Sequence, residues 1–273
     1  MQTAMTANYH THTWRCLHAQ GAEREYVENA IRGGLKVLGF SDHAPMPYPA
    51  GYASRVRMRL DQLEDYVDTV LRLKREYQND IRIHLGFEAE YYPAYFEALL
   101  RALEPYPIEY LLLGQHYLGN EIGYGYNGEP TSDPGRLKLY CRQCCEALKT
   151  GCFSCFAHPD LLPFTGDARL YEHWMGRLCR CAKEQGIPLE VNLLGIREGR
   201  RYPNPAFWTI AQKTGNQVIF GADAHQPEKV CDLASLPKAR QLAGGLTVLE
   251  TLCLRSPQAG AAAQTANAGR DPQ

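Results

Sequence analysis

A chain of 273 residues is long enough for one large domain, and 45% hydrophobic residues supply a sizeable core. A formal charge of −1 leaves no electrostatic footprint for nucleic acid or an anionic membrane surface, so recognition of phosphate has to be local. With no signal-peptide pattern before Tyr9 and no apolar run long enough to cross a bilayer, the expectation is a cytoplasmic protein.

The chain alternates short strand-like runs with longer amphipathic ones. Residues 7–12 read as a first strand and residues 23–32 as the helix after it. Strand 35–40 is followed by helix 61–77, the clearest of the set. There Leu60, Leu63, Val67, Val70, Leu71 and Leu73 recur near i, i+3, i+4 and i+7 with charges between. Strand 81–88 precedes helix 95–103, strand 110–115 precedes helix 136–150, and strand 153–157 precedes helix 170–184. The last units are strand 189–192 with helix 205–213, strand 217–221 with helix 233–242, and a weaker strand at 246–250. Gly33-Gly34, Gly151, Gly186 and Gly215 each stand between a helix and the next strand, as C-terminal caps do. Such sustained alternation argues for a parallel sheet with crossover helices. No dinucleotide fingerprint or P-loop follows the first strand, and chemistry-bearing residues end nearly every strand. Both favour a barrel, in which all strand ends share one mouth. Residues 1–255 are read as that barrel and the Ala/Gly/Gln-rich residues 256–273 as a disordered tail.

The strand endings carry the signal. Asn8-Tyr9-His10-Thr11-His12 is followed by His18, and then come Asp42-His43, Glu88, His116, His158 and Asp223-Ala224-His225. With nine histidines in 273 residues, chance puts about 0.3 in a nine-residue window, and the window from His10 to His18 holds three. Residues i and i+2 of a strand face the same way, so His10 pairs with His12, and Asp223 with His225. Imidazole with carboxylate is a ligand set for zinc, iron or manganese. His10, His12, Glu88, Asp223 and His225 are read as ligands on spacing and placement, and His18, His43, His116 and His158 join as members of the set. Asp42 cannot point inward beside His43, so His43 is taken as the ligand and Asp42 as its supporting partner or a proton carrier. His84 lies too deep for the mouth and reads as a satisfied interior histidine, and His173 as a helix residue outside the site. The ten cysteines lack zinc-site spacing and read as reduced packing thiols.

These motifs match a known pattern. Tyr9-His10-Thr11-His12, Cys16-Leu17-His18-Ala19, Gly39-Phe40-Ser41-Asp42-His43-Ala44-Pro45 and Gly86-Phe87-Glu88 with Tyr91-Tyr92-Pro93 form its first half. Leu113-Gly114-Gln115-His116, Ala157-His158-Pro159-Asp160 and Gly221-Ala222-Asp223-Ala224-His225 complete it. The chain from about Asn8 to Cys231 resembles the polymerase and histidinol-phosphatase (PHP) superfamily, and in closer detail its histidinol-phosphatase branch. The resemblance implies a distorted (β/α)7 TIM-like barrel of α/β class with two to three divalent metal ions, zinc, iron or manganese. It implies one ion on His10, His12, Glu88 and Asp223, with Glu88 bridging to a second on His116 and His158. A third would sit on His18, His43 and His225, and Arg197 would bind phosphate. Two departures stand out: Leu17 where the pattern has glycine, and Gln115 where it often has serine.

Ions sharing Glu88 would hold a bridging water and lower its pKa towards about 7. The expected chemistry is therefore hydrolysis of a small phosphate monoester, with Asp42, Glu88 and Asp223 in catalytic roles, and the resemblance implies L-histidinol phosphate as the substrate. Among the other cations, one of Arg55, Arg57 and Arg59 is a candidate phosphate partner, while Arg200 and Arg201 read as solvated charges. The loop 119–134 is long enough for a lid. Two other readings fit the ligands: a phosphoesterase on nucleotides or another monoester, and a non-catalytic metal-binding regulatory domain.

Overall fold

The computed structural model describes residues 5–258. Eight parallel strands lie in sequence order: β1 (Ala7–Asn8), β2 (Val37–Phe40), β3 (Arg82–Ala89), β4 (Tyr110–Leu113), β5 (Cys155–Phe156), β6 (Leu189–Asn192), β7 (Gln217–Gly221) and β8 (Thr247–Val248). The helices between them are α1 (Glu23–Arg32), α2 (Leu63–Glu76), α3 (Phe96–Leu103), α4 (Pro134–Lys149), α5 (Ala168–Glu184), α6 (Leu193–Arg197), α7 (Pro205–Thr214) and α8 (Leu236–Leu242). This is the distorted TIM-like α/β barrel expected.

The distortion has a definite origin. Beyond β1 and β7 the chain pairs once more, in parallel, between Thr11 and Ala224. His12 N–H donates to Ala224 O at 2.9 Å, and Ala224 N–H to His10 O at 3.1 Å. Seven strands therefore close into a ring at the mouth. β8 pairs with the first residues of β7, Gln217 with Thr247 and Val218 with Val248, at the opposite end. The chain after β8 then caps the barrel floor. Leu252 packs with Tyr9, Tyr110, Leu112 and Cys155, and Arg255 N–H donates to Ser154 Oγ at 2.7 Å.

Local chemistry explains where the elements begin. α4 and α5 start two residues earlier than periodicity indicated, because Asp133 and Asp167 cap them and Pro134 takes the first helical position. α2 buries Leu63, Tyr66, Val67, Val70 and Leu73, while Leu60 of the expected stripe is exposed. α6 was not expected; Asn192 caps it by accepting from Gly195 N–H at 2.9 Å. The first strand is shorter than the expected 7–12, since the backbone from Tyr9 onward carries only the isolated Thr11 pairing. Packing contacts run past residue 255: Pro257 O lies 3.7 Å from Cys152 Sγ, and Gln258 Nε2 donates to Leu103 O at 3.3 Å. The rest of the expected tail lies outside the described residues. All ten cysteines are free thiols, and most are buried between helices and sheet.

Candidate metal centre

Every residue of the expected ligand set arrives at one end of the barrel. His10 and His12 follow β1, and His43 follows β2, where it pairs with Glu88 of β3. His116 and His158 follow β4 and β5, and Asp223 and His225 follow β7. His18 follows the turn of 3-10 helix Trp14–Cys16, which ends on Leu17 at φ 70°. That conformation suits glycine, so the departure at Leu17 carries a backbone cost of roughly 1–2 kcal/mol. Gln115 is buried and joins two loops, donating to Tyr117 O at 2.7 Å and accepting from Tyr91 N–H at 3.0 Å.

Strand parity gave the right grouping of Asp223 with His225 for the wrong reason. β7 ends at Gly221, and Asp223 adopts φ 46°, a left-handed turn rather than an extended residue. The turn brings Asp223 Oδ1 to 3.4 Å from His225 Nδ1 and 3.2 Å from His12 Nε2. His158 also has positive φ, at 31°.

Glu88 stands at the centre, with its two oxygens facing different histidines. Oε2 lies 3.4 Å from His10 Nε2, 3.5 Å from His12 Nε2 and 3.1 Å from His43 Nδ1. Oε1 lies 2.7 Å from His158 Nε2 and 3.5 Å from His116 Nε2. Space for this carboxylate comes from Gly114, where a Cβ would stand 1.9 Å from Glu88 Oε1. Gly221 leaves room for Glu190 in the same way, at 1.7 Å.

These residues fit a metal. Glu88 Oε2 and Asp223 Oδ1 are buried and accept no hydrogen bond, and His225 Nε2 is buried without a partner. Two atoms each about 2.1 Å from one ion at the tetrahedral angle lie about 3.4 Å apart, close to the spacings around Glu88 and Asp223. Potential ligand triads include His10, His12 and Glu88; His10, His158 and Asp223; and His18, His43 and His225. Charge points the same way. Burial works against a proton on His10, yet Asp223, Glu190 and Glu88 push it well above the usual imidazole range. Burial likewise opposes ionisation of Glu88, and the surrounding histidines still hold it well below the usual carboxylate range. Such a cluster of buried carboxylates calls for a cation, and the residues present suit divalent ions.

Sequence reasoning missed the supports behind the candidate ligands. His10 Nδ1 hydrogen-bonds Glu190 Oε1 at 2.7 Å, and His116 Nδ1 bonds Glu90 Oε1 at 3.0 Å. Carboxylates in these positions fix the tautomer and turn each Nε2 towards the centre. Asn192 donates to both Glu190 and Asp223 at 3.0 Å. The usable signal was alternation: Glu88 with Glu90 and Glu190 with Asn192 are i, i+2 pairs at strand ends. Asp42 lies behind the site, fully buried. It accepts from the Thr13 hydroxyl and from His43 N–H at 2.8 Å, and stands 3.5 Å from His12 Nδ1.

A cavity of about 750 Å3 opens above the cluster, walled by Tyr117, Tyr126, Tyr202, Arg55, Arg197, Arg200 and Lys229. Arg197 is anchored by Asp232 at 2.8 Å. Arg200 lines the wall, held by Glu198 and the Tyr202 hydroxyl. Arg57 does not face the cavity but is buried against Glu90 and Glu121, and Arg59 pairs with Asp61 at the surface. His84 hydrogen-bonds Glu109 at 2.8 Å near the base of β3, and His173 packs edge-on against Trp174 of α5.

A parallel barrel whose strand ends converge on buried histidines and carboxylates, with open space above them, defines a divalent-metal-dependent barrel enzyme. The chain belongs to the PHP family: residues 8–193 match the PHP domain. It is 30% identical over 249 residues to the probable histidinol-phosphatase of Deinococcus radiodurans, covering 88% of this chain and 94% of that one. Identity to the histidinol-phosphatase of Bacillus subtilis is 24% over 251 residues, covering 80% and 92%. The fold is shared with the histidinol phosphate phosphatase of Lactococcus lactis, solved with zinc, L-histidinol and phosphate. That likeness has a TM-score of 0.71 at 19% identity, over 90% of this chain and 95% of that one. Among the described residues no helix is long and apolar enough to cross a membrane.

Proposed function

We propose that the chain is a phosphatase that hydrolyses L-histidinol phosphate to L-histidinol and phosphate, using two to three divalent ions. The observation that carries the reading is the division of Glu88, whose Oε2 faces His10, His12 and His43 while Oε1 faces His116 and His158. A carboxylate so placed suits a bridge between neighbouring ions. Zinc, iron and manganese all accept this ligand set. His10, His12, Glu88 and Asp223 would hold one ion, His116 and His158 with Glu88 a second, and His18, His43 and His225 a third. Divalent ions there supply Lewis-acid stabilisation of phosphoryl oxygens and acidify water for attack at phosphorus. Asp42, 3.5 Å from His12 Nδ1 and with no opening of its own to the cavity, would support His12 electrostatically from behind. Arg197, steadied by Asp232, offers its remaining donors to a phosphate oxygen. A small monoester suits the cavity, and the relatives named above point to histidinol phosphate among such esters.

The test combines metal analysis of the purified protein with phosphate release from histidinol phosphate and a panel of other monoesters. Two to three ions per chain and a strong preference for histidinol phosphate are expected. A preference for nucleotides would overturn the substrate. Glu88→Ala should abolish turnover by removing the shared ligand, whereas Arg197→Ala should chiefly raise KM. Near-normal turnover in Glu88→Ala would refute the bridging role.

A further inference from the structure

Behind His116 lies a chain of buried charges that reaches two cavity loops. Glu90, which accepts from His116 Nδ1, is gripped by both terminal nitrogens of Arg57 at 2.7 and 2.8 Å. Arg57 Nη1 also donates to Ala44 O at 3.2 Å. On its other side Arg57 reaches Glu121 Oε2, from Nε at 2.7 Å and Nη2 at 2.6 Å. Tyr52 donates to Glu121 Oε1 at 3.0 Å. The side chains of Arg57, Glu90 and Glu121 are only 1%, 1% and 3% exposed. A guanidinium has five N–H donors; four of them make these hydrogen bonds, and Nη2 is also ion-paired with Glu121. Buried between two carboxylates and away from the cavity wall, Arg57 is not placed to meet a phosphate.

We propose that Arg57 is a positioning residue for the metal centre: through Glu90 it holds His116 towards the ions, and through Glu121 it fastens the loop 117–133 at the cavity. The proposal rests on His116 being a metal ligand, as in the function proposed above. Its physical basis is geometric. One planar guanidinium meets two carboxylates edge-on, which fixes Glu90 in position and so fixes the ring that Glu90 orients. Tyr117 and Tyr126 of the same loop line the cavity, so ligand orientation and cavity wall share one anchor. A lysine preserves the charge but cannot hold both carboxylates in this way.

The test uses Arg57→Lys, Glu90→Gln and Glu121→Gln in the full chain. Zinc affinity is read by competition with a chelator, and amide hydrogen exchange is followed across residues 117–133, both without substrate. Arg57→Lys should weaken the ion held through His116 about 10–100-fold and speed exchange in the loop. Glu90→Gln should weaken the ion alone. Glu121→Gln should speed exchange and raise KM more than it lowers kcat, with zinc affinity within about threefold of the parent, since it leaves Glu90 in place. Unchanged zinc affinity in Arg57→Lys or Glu90→Gln overturns the link to His116, and unchanged exchange in Glu121→Gln overturns the link to the loop. Should Arg57→Lys fail to fold, the two glutamine variants decide those links separately. A parent protein that binds zinc with a protected loop yet spares histidinol phosphate would count against the substrate and not against Arg57.

Discussion

Glu190 reaches His10 from 180 residues away, yet the pair is among the tightest polar contacts in the site. Its carboxylate also accepts from His158 N–H at 3.0 Å and from Asn192, so one side chain steadies two of the proposed ligands. Glu190→Gln keeps the shape but weakens the acceptor facing His10. Metal affinity should fall about 10–100-fold, measured by chelator competition, with the fold intact by circular dichroism. His10 and His12 were legible because they are neighbours in a dense motif. Glu190 and Glu90 were not, because nothing near them in sequence names their partners. Arg57 could not be told from Arg55 and Arg59 for the same reason: a basic loop offers all three to phosphate until the carboxylate partners of Arg57 and the place of Arg55 in the cavity wall are seen.

At the scale of elements, the strand ends set the geometry and the glycines give it room. Gly114→Ala would drive a methyl into Glu88, whose position the surrounding histidines leave no space to change. The expected result is loss of bound metal and of at least one hundredfold in turnover, on the order of 3 kcal/mol of transition-state stabilisation. A second cluster, at the opposite end of the sheet, should act on stability alone. Glu109 accepts from His84 at 2.8 Å, Lys74 at 2.8 Å and Leu85 N–H at 2.9 Å. Burial would raise its carboxyl, but these donors hold it at about 2, below the ordinary 4.5. A depressed carboxyl contributes stability above its unfolded pKa and loses it as pH falls through the folded value. Glu109→Gln should thus lower the urea midpoint of metal-free protein near neutral pH, and the gap to the parent should close between about 4.5 and 2. A constant gap across that range would assign the loss to packing instead. The alternating elements were readable from periodicity, whereas α6 was too short to show a period and the Asp223 turn had no local marker.

For the whole molecule, the proposed metal site should also act on stability. Buried Glu88, Glu90 and Asp223 line the cavity with Glu190 behind them, and ions that bind only the folded chain would stabilise it. An ion present at a thousandfold excess over its Kd adds about 4 kcal/mol, enough to move Tm by on the order of ten degrees. Chelation should lower Tm by that order and abolish phosphate release, and re-adding zinc or manganese should restore both. Ligand imidazoles and carboxylates must be deprotonated to bind, so the metal-dependent part of Tm should shrink as pH falls, starting above the usual imidazole range because the carboxylates around His10 favour its protonated form. A Tm unmoved by chelation at neutral pH would mean that the cluster is stable without ions. A chain ending at Gln258 should keep the fold and metal content, since it retains the packed contacts of Pro257 and Gln258.

The sequence by itself determined the alternation of strands and helices, the parallel sheet that alternation requires, and the residues at each strand end. Those signals are local: periodicity, caps, and ligand types a few positions apart. Tertiary structure decided the rest, because the remaining contacts join residues that only the closed ring makes neighbours. Pairing of Thr11 with Ala224 closes seven strands at the mouth and leaves β8 at the far end. That closure brings Asp223 against His12, and the ring around it brings Glu190 against His10. Beside the ring, two loops meet on Arg57. No spacing in the chain encodes those distances; they follow from where the barrel shuts.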